Sequence, residues 1–128
     1  MKVKSGLLYT ETHEWVRRDG DVVVIGITDF AQSELGAVVF VDLPEEGDEV
    51  SAGEEFGEIE SHKAVSDLKS PISGDIVAIN EAIEDADEDT HPVNIDPYQS
   101  GWLIKVKFSD ESELAGLLDA EGYTKLLP

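Results

Sequence analysis

Along several stretches of the chain every second residue is large and apolar, a period typical of β-strands that bury one face. The clearest stretch is 102–109, where large apolar side chains alternate with lysine, leucine and serine. A β-branched run at 22–25 follows the turn signal Asp19-Gly20 and a strand-like segment at 12–16. Asp-Gly between two such runs predicts a hairpin. These patterns indicate a mostly β chain.

Helical periodicity is confined to short segments. Thr28-Asp29 followed by Gln32 makes a capping box, and Gly36 is placed to end the helix, so a short helix is predicted over 29–35. Asp110 with Glu113 is a second capping signature, and leucines at helical spacing follow it. A C-terminal helical segment is therefore predicted over 110–127.

A weak internal repeat occurs in the middle of the chain. The segment 44–50, Pro-Glu-Glu-Gly-Asp-Glu-Val, returns at 71–77 as Pro-Ile-Ser-Gly-Asp-Ile-Val. Each copy joins a turn to a strand, which predicts two similar β units packed face to face. The fold class predicted is two small antiparallel sheets with short helices at the periphery.

Length and composition bound the function. The 128 residues predict a single domain spanning 1–128 that buries its own core. With 29 acidic and 9 basic residues the formal charge is −20, which excludes nucleic acid and anionic membrane as favoured partners. The acid excess has two interpretations, steering toward basic partners or a solubilising surface suited to high salt. The absence of cysteine excludes disulfides, thiol nucleophiles and cysteine metal sites.

Targeting signals are not evident. The apolar part of the first ten residues is too short for a signal peptide, and no segment approaches the length of a membrane span. We expect a soluble, cytoplasmic protein, or one of the mitochondrial matrix if the parent organism is eukaryotic.

Patterns that would indicate an enzyme are missing. The three histidines come without a nucleophile-elbow motif, and no phosphate-binding loop is present. His13 has no second histidine at ligand spacing, which favours a structural role over a metal ligand or base. The acidic stretch from Asp85 resembles a calcium loop but has Thr90 at the sixth position and Asp96 at the twelfth, where glycine and glutamate are required. The sequence therefore favours a carrier over a catalyst.

One lysine has an unusual setting. Lys63 follows a β-compatible stretch at 56–60, and a second apolar run occurs at 76–79 after Ser70-Pro71. These runs predict a hairpin over 56–79 with Lys63 near its tip. A lone lysine is ordinarily a solvated surface charge, but an amine at a hairpin tip is accessible to a modifying enzyme. We therefore interpret Lys63 as a site of modification.

Short motifs along the whole chain resemble one known family, the H proteins of the glycine cleavage system. They are Thr12-His-Glu-Trp15, Gly26-Ile-Thr-Asp-Phe-Ala-Gln32, Leu35-Gly36, Val39-Phe-Val-Asp-Leu-Pro44, Glu60-Ser61, Lys63-Ala64, Ser66-Asp67, Ser70-Pro71, Ser73-Gly74, Asp96-Pro-Tyr98 and Gly101-Trp102-Leu103. A generic lipoyl domain shares only the 60–74 portion. The chain departs from the family at His62, where valine is usual, and at Val65, where alanine or threonine is usual.

The resemblance implies a lipoyl-domain-like barrel-sandwich hybrid with lipoic acid joined covalently to Lys63. It implies that Glu60 helps the modifying enzyme recognise the hairpin and that Gly74 allows a tight bend. The residues expected to hold the protonated aminomethyl group of the loaded arm are Thr12, Glu14 and Asp67.

The partners implied by the resemblance are glycine decarboxylase (P protein), aminomethyltransferase (T protein), dihydrolipoyl dehydrogenase (L protein) and a lipoate ligase or lipoyl transferase. The chain would be a monomeric carrier and not itself an enzyme. Two alternatives stay open, a lipoyl depot that relays the group to other enzymes and an unmodified acidic interaction module. A biotin carrier is disfavoured, because its lysine usually lies between methionines whereas His62 and Ala64 flank Lys63 here.

Overall fold

The structure is a computed structural model that describes residues 2–128. Over this range nine strands form two antiparallel sheets, which confirms the predicted fold class. The strands are β1 (Leu8–Tyr9), β2 (Glu14–Asp19), β3 (Val22–Ile27), β4 (Val38–Asp42), β5 (Glu49–Val50), β6 (Glu55–Ser61), β7 (Val65–Lys69), β8 (Gly74–Ile79) and β9 (Ile104–Phe108). The larger sheet has the order β1-β2-β3-β9-β8-β5, and the smaller has the order β4-β6-β7.

Short helices lie between and after the strands. They are α1 (Asp29–Leu35), α2 (Glu81–Glu84), α3 (Pro92–Ile95), α4 (Ala120–Thr124) and two 3₁₀ segments, Glu88–Thr90 and Glu111–Gly116. No helix within 2–128 is both long enough and apolar enough to cross a membrane.

Helix α1 spans the range that its capping residues predict. The Thr28 hydroxyl oxygen accepts a hydrogen bond from the Ala31 N–H at 3.2 Å, and the Gln32 side chain donates to Asp29 at 2.7 Å. Gly36 ends the helix with φ of +76°, a conformation that strongly favours glycine. Local chemistry therefore fixes both ends of this helix.

The C-terminal segment differs from the prediction of a helix over 110–127. Its middle part is extended because Leu118 pairs with Tyr9 through two backbone hydrogen bonds of 2.7 and 2.8 Å. Tertiary pairing at the edge of the larger sheet therefore overrides the leucine periodicity and divides the segment into a 3₁₀ turn and α4.

The predicted hairpin over 56–79 has a different second strand. β6 pairs with β7, whereas β8 lies in the other sheet and pairs with β9. The assignment of the 76–79 run as the returning strand was wrong because β7 is exposed except at Leu68, so its sequence lacks a strong apolar period. The hairpin is Glu55–Lys69, and Lys63 lies in its turn as predicted.

The internal repeat also has a different geometry. Its two copies pair with each other at one end of the larger sheet, with Val50 opposite Gly74 and the Gly47 N–H donating to the Ile76 carbonyl at 2.8 Å. The prediction that the copies pack face to face was therefore wrong, because the turns bring the two copies side by side as strands of one sheet.

The main core fills the space between the two sheets. Ile59 and Leu68 from the smaller sheet belong to the same buried cluster as Ile25, Ile104 and Val106 from the larger one. A second cluster of aromatic residues lies under the β1–β2 end of the larger sheet and contains Tyr9, Trp15, Tyr98 and Tyr123. This aromatic cluster supports the loop that carries part of the candidate site.

The acidic surface leads to a prediction about salt. The three ion pairs of lysine or arginine found among residues 2–128 are all exposed, and they offset little of the formal charge of −20. Self-repulsion should therefore destabilise the folded state, and salt should relieve it as the Debye length falls from about 10 Å at 0.1 M to about 3 Å at 1 M. We expect the melting temperature to climb with sodium chloride. A flat or falling curve would contradict this account.

Candidate modification site and adjoining cleft

The turn that carries Lys63 is held by Ser61. The Ser61 N–H donates to the Ala64 carbonyl at 2.8 Å, and its hydroxyl oxygen accepts from the N–H groups of Lys63 and Ala64 at 3.3 and 3.2 Å. Ser61 is buried, whereas Lys63 is exposed. A buried side chain therefore fixes the backbone of the turn and leaves the amine accessible. The sequence analysis missed Ser61, although a serine placed to close such a turn is a recognisable signal.

The Lys63 side chain lies beside the end of α1. A Cβ atom placed on Gly36 would meet the Lys63 Cε at 3.9 Å. The neighbouring His62 Nε2 lies 3.5 Å from a carboxylate oxygen of Glu88. Within residues 2–128 no carboxylate oxygen lies within 4.0 Å of the Lys63 nitrogen. The amine therefore extends from the hairpin without an ion-pair partner in the described chain.

Glu60 and Gly74 occupy different parts of the fold. Glu60 is exposed on β6, directly opposite Val65 of the hairpin. Gly74 lies at the start of β8, between β5 and β9, and a Cβ atom there would collide with the Lys107 carbonyl oxygen. The expected tight bend at Gly74 is therefore wrong, since close approach of neighbouring strands is what requires glycine.

A cleft of about 360 Å³ lies at the other end of β7. Thr12 and Glu14 both line it, as the sequence predicts, together with Thr10, Lys69 and other residues. Glu14 is only 2% exposed. Its Oε1 accepts hydrogen bonds from the hydroxyls of Thr10 at 2.7 Å and Thr12 at 2.5 Å, and its Oε2 accepts from the Lys69 N–H at 3.4 Å. The cleft thus contains a buried, oriented carboxylate.

Burial raises the pKa of the Glu14 carboxyl above its ordinary value of 4.5, since a charge is less stable away from water. The hydrogen bonds from Thr12 and Thr10 act in the opposite direction and moderate this rise. A cation that entered the cleft would favour the ionised form and offset its desolvation.

The loop before Glu14 is held by the C-terminal helix. The Tyr123 hydroxyl lies 2.7 Å from His13 Nδ1 and 2.7 Å from the Thr28 hydroxyl. His13 has φ of +70°, and its ring contacts Phe30 with a centroid separation of 4.7 Å. Burial lowers the pKa of His13. These contacts support the structural role predicted for His13. The contact with Tyr123 could not be predicted, because 110 positions separate it from His13 along the chain.

Asp67 does not line the cleft. It lies on the exposed face of β7, where its carboxylate is within 4.8 Å of those of Glu55 and Glu58. The structure therefore brings Thr12 and Glu14 together but separates Asp67 from them. The face of β7 on which Asp67 lies depends on the strand's register, which the sequence analysis did not identify.

A second groove joins the hairpin turn to the cleft. It has a volume of about 320 Å³ and passes between α1 and the start of β7, with Phe30, Leu35, Ala64 and Val65 among its lining residues. Thr12 lines both the groove and the cleft. A largely apolar groove therefore lies next to the Lys63 turn and shares Thr12 with the cleft that contains the Glu14 carboxylate. This arrangement fits an attached arm with an apolar body and a cationic end.

An exposed lysine on a hairpin turn, an apolar groove beside it and an oriented carboxylate in the adjoining cleft have the geometry that a carrier of a covalently attached arm requires. The family model described as glycine cleavage H-protein matches residues 7–128. The chain belongs to the glycine cleavage H-protein family.

Individual relatives agree over nearly the full length. The chain is 55% identical over 126 residues to the glycine cleavage system H protein of Chromohalobacter salexigens, covering 98% of this chain and 94% of the relative. It is 52% identical over 125 residues to that of Carboxydothermus hydrogenoformans, with the same coverage. A crystal structure of a glycine cleavage system H protein from Mycobacterium marinum superposes with a TM-score of 0.86 at 43% identity, covering 96% of this chain and 97% of that one.

Membership of this family makes the chain a carrier subunit and not itself a catalyst. It supports a lipoyl-carrier role in glycine cleavage, together with the P, T and L proteins of that system.

Proposed function

We propose that this chain shuttles the aminomethyl group of glycine from the decarboxylase to the aminomethyltransferase and is then reoxidised by dihydrolipoyl dehydrogenase. The observation that carries the proposal is the exposed Lys63 amine on a turn fixed by Ser61, with a largely apolar groove beside it that adjoins the Glu14 cleft. Lipoic acid joined to that amine would supply the dithiol and disulfide chemistry that the side chains of this chain lack.

Lys63 contributes the point of attachment. Amide formation at its nitrogen removes the positive charge of the ammonium, so the side chain becomes an uncharged arm that suits an apolar groove. Glu60, exposed on the same hairpin, supports recognition of the turn by a lipoate ligase or lipoyl transferase.

Thr12 and Glu14 contribute the binding site for the cargo. Glu14 Oε1 already accepts from two threonine hydroxyls, whereas Oε2 has only the long 3.4 Å contact with the Lys69 N–H. Oε2 therefore has capacity for a hydrogen bond from a protonated amine, and such charge-assisted bonds are stronger than neutral ones. The exposed Thr12 hydroxyl lies where the groove meets the cleft and orients the same group.

Reconstitution of glycine cleavage tests the proposal. Purified P, T and L proteins are mixed with glycine, tetrahydrofolate and NAD⁺, and NADH is followed by absorbance. We expect NADH formation to require this chain in its lipoylated form and to increase with its concentration. The unmodified chain is the control. NADH formation at the same rate with the unmodified chain, or none with the lipoylated chain, would overturn the shuttle.

A further inference from the structure

The outer face of the smaller sheet carries two ordered rows of side chains. In the first row Phe40 of β4 lies opposite Glu60 of β6, which lies opposite Val65 of β7. In the second row Asp42, Glu58 and Asp67 are matched in the same way. All six residues are exposed. The row nearest the Lys63 turn therefore consists of two apolar side chains, Phe40 and Val65, on either side of the Glu60 carboxylate. The second row is entirely acidic and borders the first.

Phe40 and Val65 are 57% and 61% exposed, among the most exposed large apolar residues of the described chain. Single exposed apolar residues are ordinary, but two in one cross-strand row with a charged border are typical of a binding surface. Val65 is also only two positions from Lys63. A partner that takes the Lys63 amine into its active site must therefore cover this row or lie directly beside it.

We propose that Phe40 and Val65 anchor the enzyme that attaches the lipoyl group to Lys63. The inference rests on the proposed lipoyl attachment and deepens it by naming the surface that this enzyme recognises. In the reaction the neutral Lys63 nitrogen attacks the carbonyl carbon of a mixed anhydride of lipoic acid and a phosphate, such as lipoyl-adenylate, and AMP is the leaving group. A C–N bond forms, the C–O bond to the phosphate breaks, and the nitrogen loses a proton.

The partners differ in how close their active sites must come to the hairpin, and this difference favours the attaching enzyme as the partner that binds the row. The attaching enzyme must bring its reacting atoms to the Lys63 nitrogen, which is only a four-carbon stem away from the turn. The enzymes that act later react with the far end of the arm, so their active sites need not come this close to the hairpin backbone. The attaching enzyme is therefore the partner that is obliged to contact the strands next to Lys63.

Charge defines the complementary surface. Glu60 lies between the two apolar anchors, and Asp42, Glu58 and Asp67 form the border. The attaching enzyme should therefore present an apolar pocket surrounded by basic side chains, since opposite potentials favour both encounter and orientation. The attaching enzyme would therefore recognise the outer face of the smaller sheet as well as the turn that carries Lys63.

The test compares initial rates of lipoylation. Unmodified parent and the double variant Phe40→Thr/Val65→Thr are incubated with lipoic acid, MgATP and a purified lipoate ligase, and lipoyl incorporation is followed by intact mass. Threonine places a β-branched residue of high strand propensity at both positions while replacing apolar surface. The matched control is Val77→Thr, since Val77 is 44% exposed on β8 of the other sheet. Melting temperatures establish that the parent and both variants are folded.

We expect kcat/KM for the double variant to fall by about tenfold or more, mainly through KM, as on loss of interface anchors. The Val77→Thr control should match the parent, and long incubation should still place one lipoyl group on Lys63 of the double variant. Equal rates for parent and double variant would overturn the docking surface while leaving lipoyl attachment intact. A parent that accepts no lipoyl group would overturn both.

A further arm separates other occupants. The fully lipoylated single variant Phe40→Thr, which keeps Val65 in the apolar groove, is assayed with dihydrolipoyl dehydrogenase and in the reconstituted cleavage reaction, where it should react like the lipoylated parent. If the ligase rate is unchanged and these later reactions slow instead, the surface belongs to a later enzyme and the proposed occupant is wrong.

Discussion

Replacing Lys63 with arginine should abolish lipoyl attachment. Arginine keeps the positive charge and much of the side-chain length but has no amine that forms this amide. When the parent is co-expressed with a lipoate ligase, intact mass should show one added lipoyl group, and Lys63→Arg should show none. Because Lys63 is an exposed turn residue, the free energy of unfolding should change by less than about 0.5 kcal/mol. The variant should therefore melt like the parent.

Six other lysines serve as internal controls for this experiment. Lys69 is the most informative because it is exposed at the opposite end of β7. The matched variant Lys69→Arg should still gain one lipoyl group. Modification of the parent at Lys69, or of Lys63→Arg at any position, would contradict the assignment of the attachment site.

The features that the sequence predicted correctly are those with local chemical signals. Helix α1 is bounded by Thr28 and Gly36, which act within a few residues of the helix ends. The Lys63 turn is flanked by strand-forming residues and closed by the Ser61 hydroxyl. Both features depend on residues close in sequence, so the positions of the helix and of the turn could be predicted, although the role of Ser61 was missed.

The features that the sequence analysis placed wrongly depend on pairing between distant segments. β7 buries only Leu68, so its strand identity comes from its pairing with β6 and not from its own pattern. Missing β7 also hid the face on which Asp67 lies. The prediction of a bend at Gly74 failed for a related reason. Only the pairing of β8 with β9 shows that the Lys107 carbonyl leaves no room for a Cβ atom at this position.

The burial of the Glu14 side chain could not be predicted from the sequence. In a chain with 29 acidic residues, a carboxylate is expected to be exposed. Yet Glu14 is 2% exposed, because Tyr123 and Thr28 hold the preceding loop in place and the Lys69 backbone covers the side chain. A buried acid with a raised pKa at the edge of a cleft is a functional candidate on physical grounds.

Replacing Glu14 with glutamine should accelerate loss of the aminomethyl group from the loaded arm. The protonated amine would lose a charge-assisted hydrogen bond, which is worth about 1.5–3 kcal/mol. We therefore expect spontaneous release of ammonia and formaldehyde, measured without transferase, to rise by about tenfold or more. Glutamine preserves the volume of the side chain and can still accept from Thr10 and Thr12, so the loop should keep its shape. Glu14→Ala should give at least as large an effect.

Two controls separate this site from the general acidity of the surface. Glu45→Gln removes an exposed carboxylate that does not line the cleft, and Asp67→Asn removes the one that the structure places on the outer face. Both variants should release the group at the parental rate. Faster release from Asp67→Asn would return Asp67 to the arm site and contradict the placement described above.

The pH dependence of aminomethyl release tests whether the ionised Glu14 carboxylate attracts the ammonium of the loaded arm. Only ionised Glu14 attracts the ammonium, so protonation as the pH falls through the pKa of Glu14 should remove the attraction. Burial raises that pKa in the unloaded protein, whereas the bound ammonium opposes the rise. The parent should therefore approach the release rate of Glu14→Gln as the pH falls, and the two should diverge toward neutral pH. Equal rates at neutral pH, with loading verified by mass, would remove Glu14 from the site and leave the arm held by the groove alone.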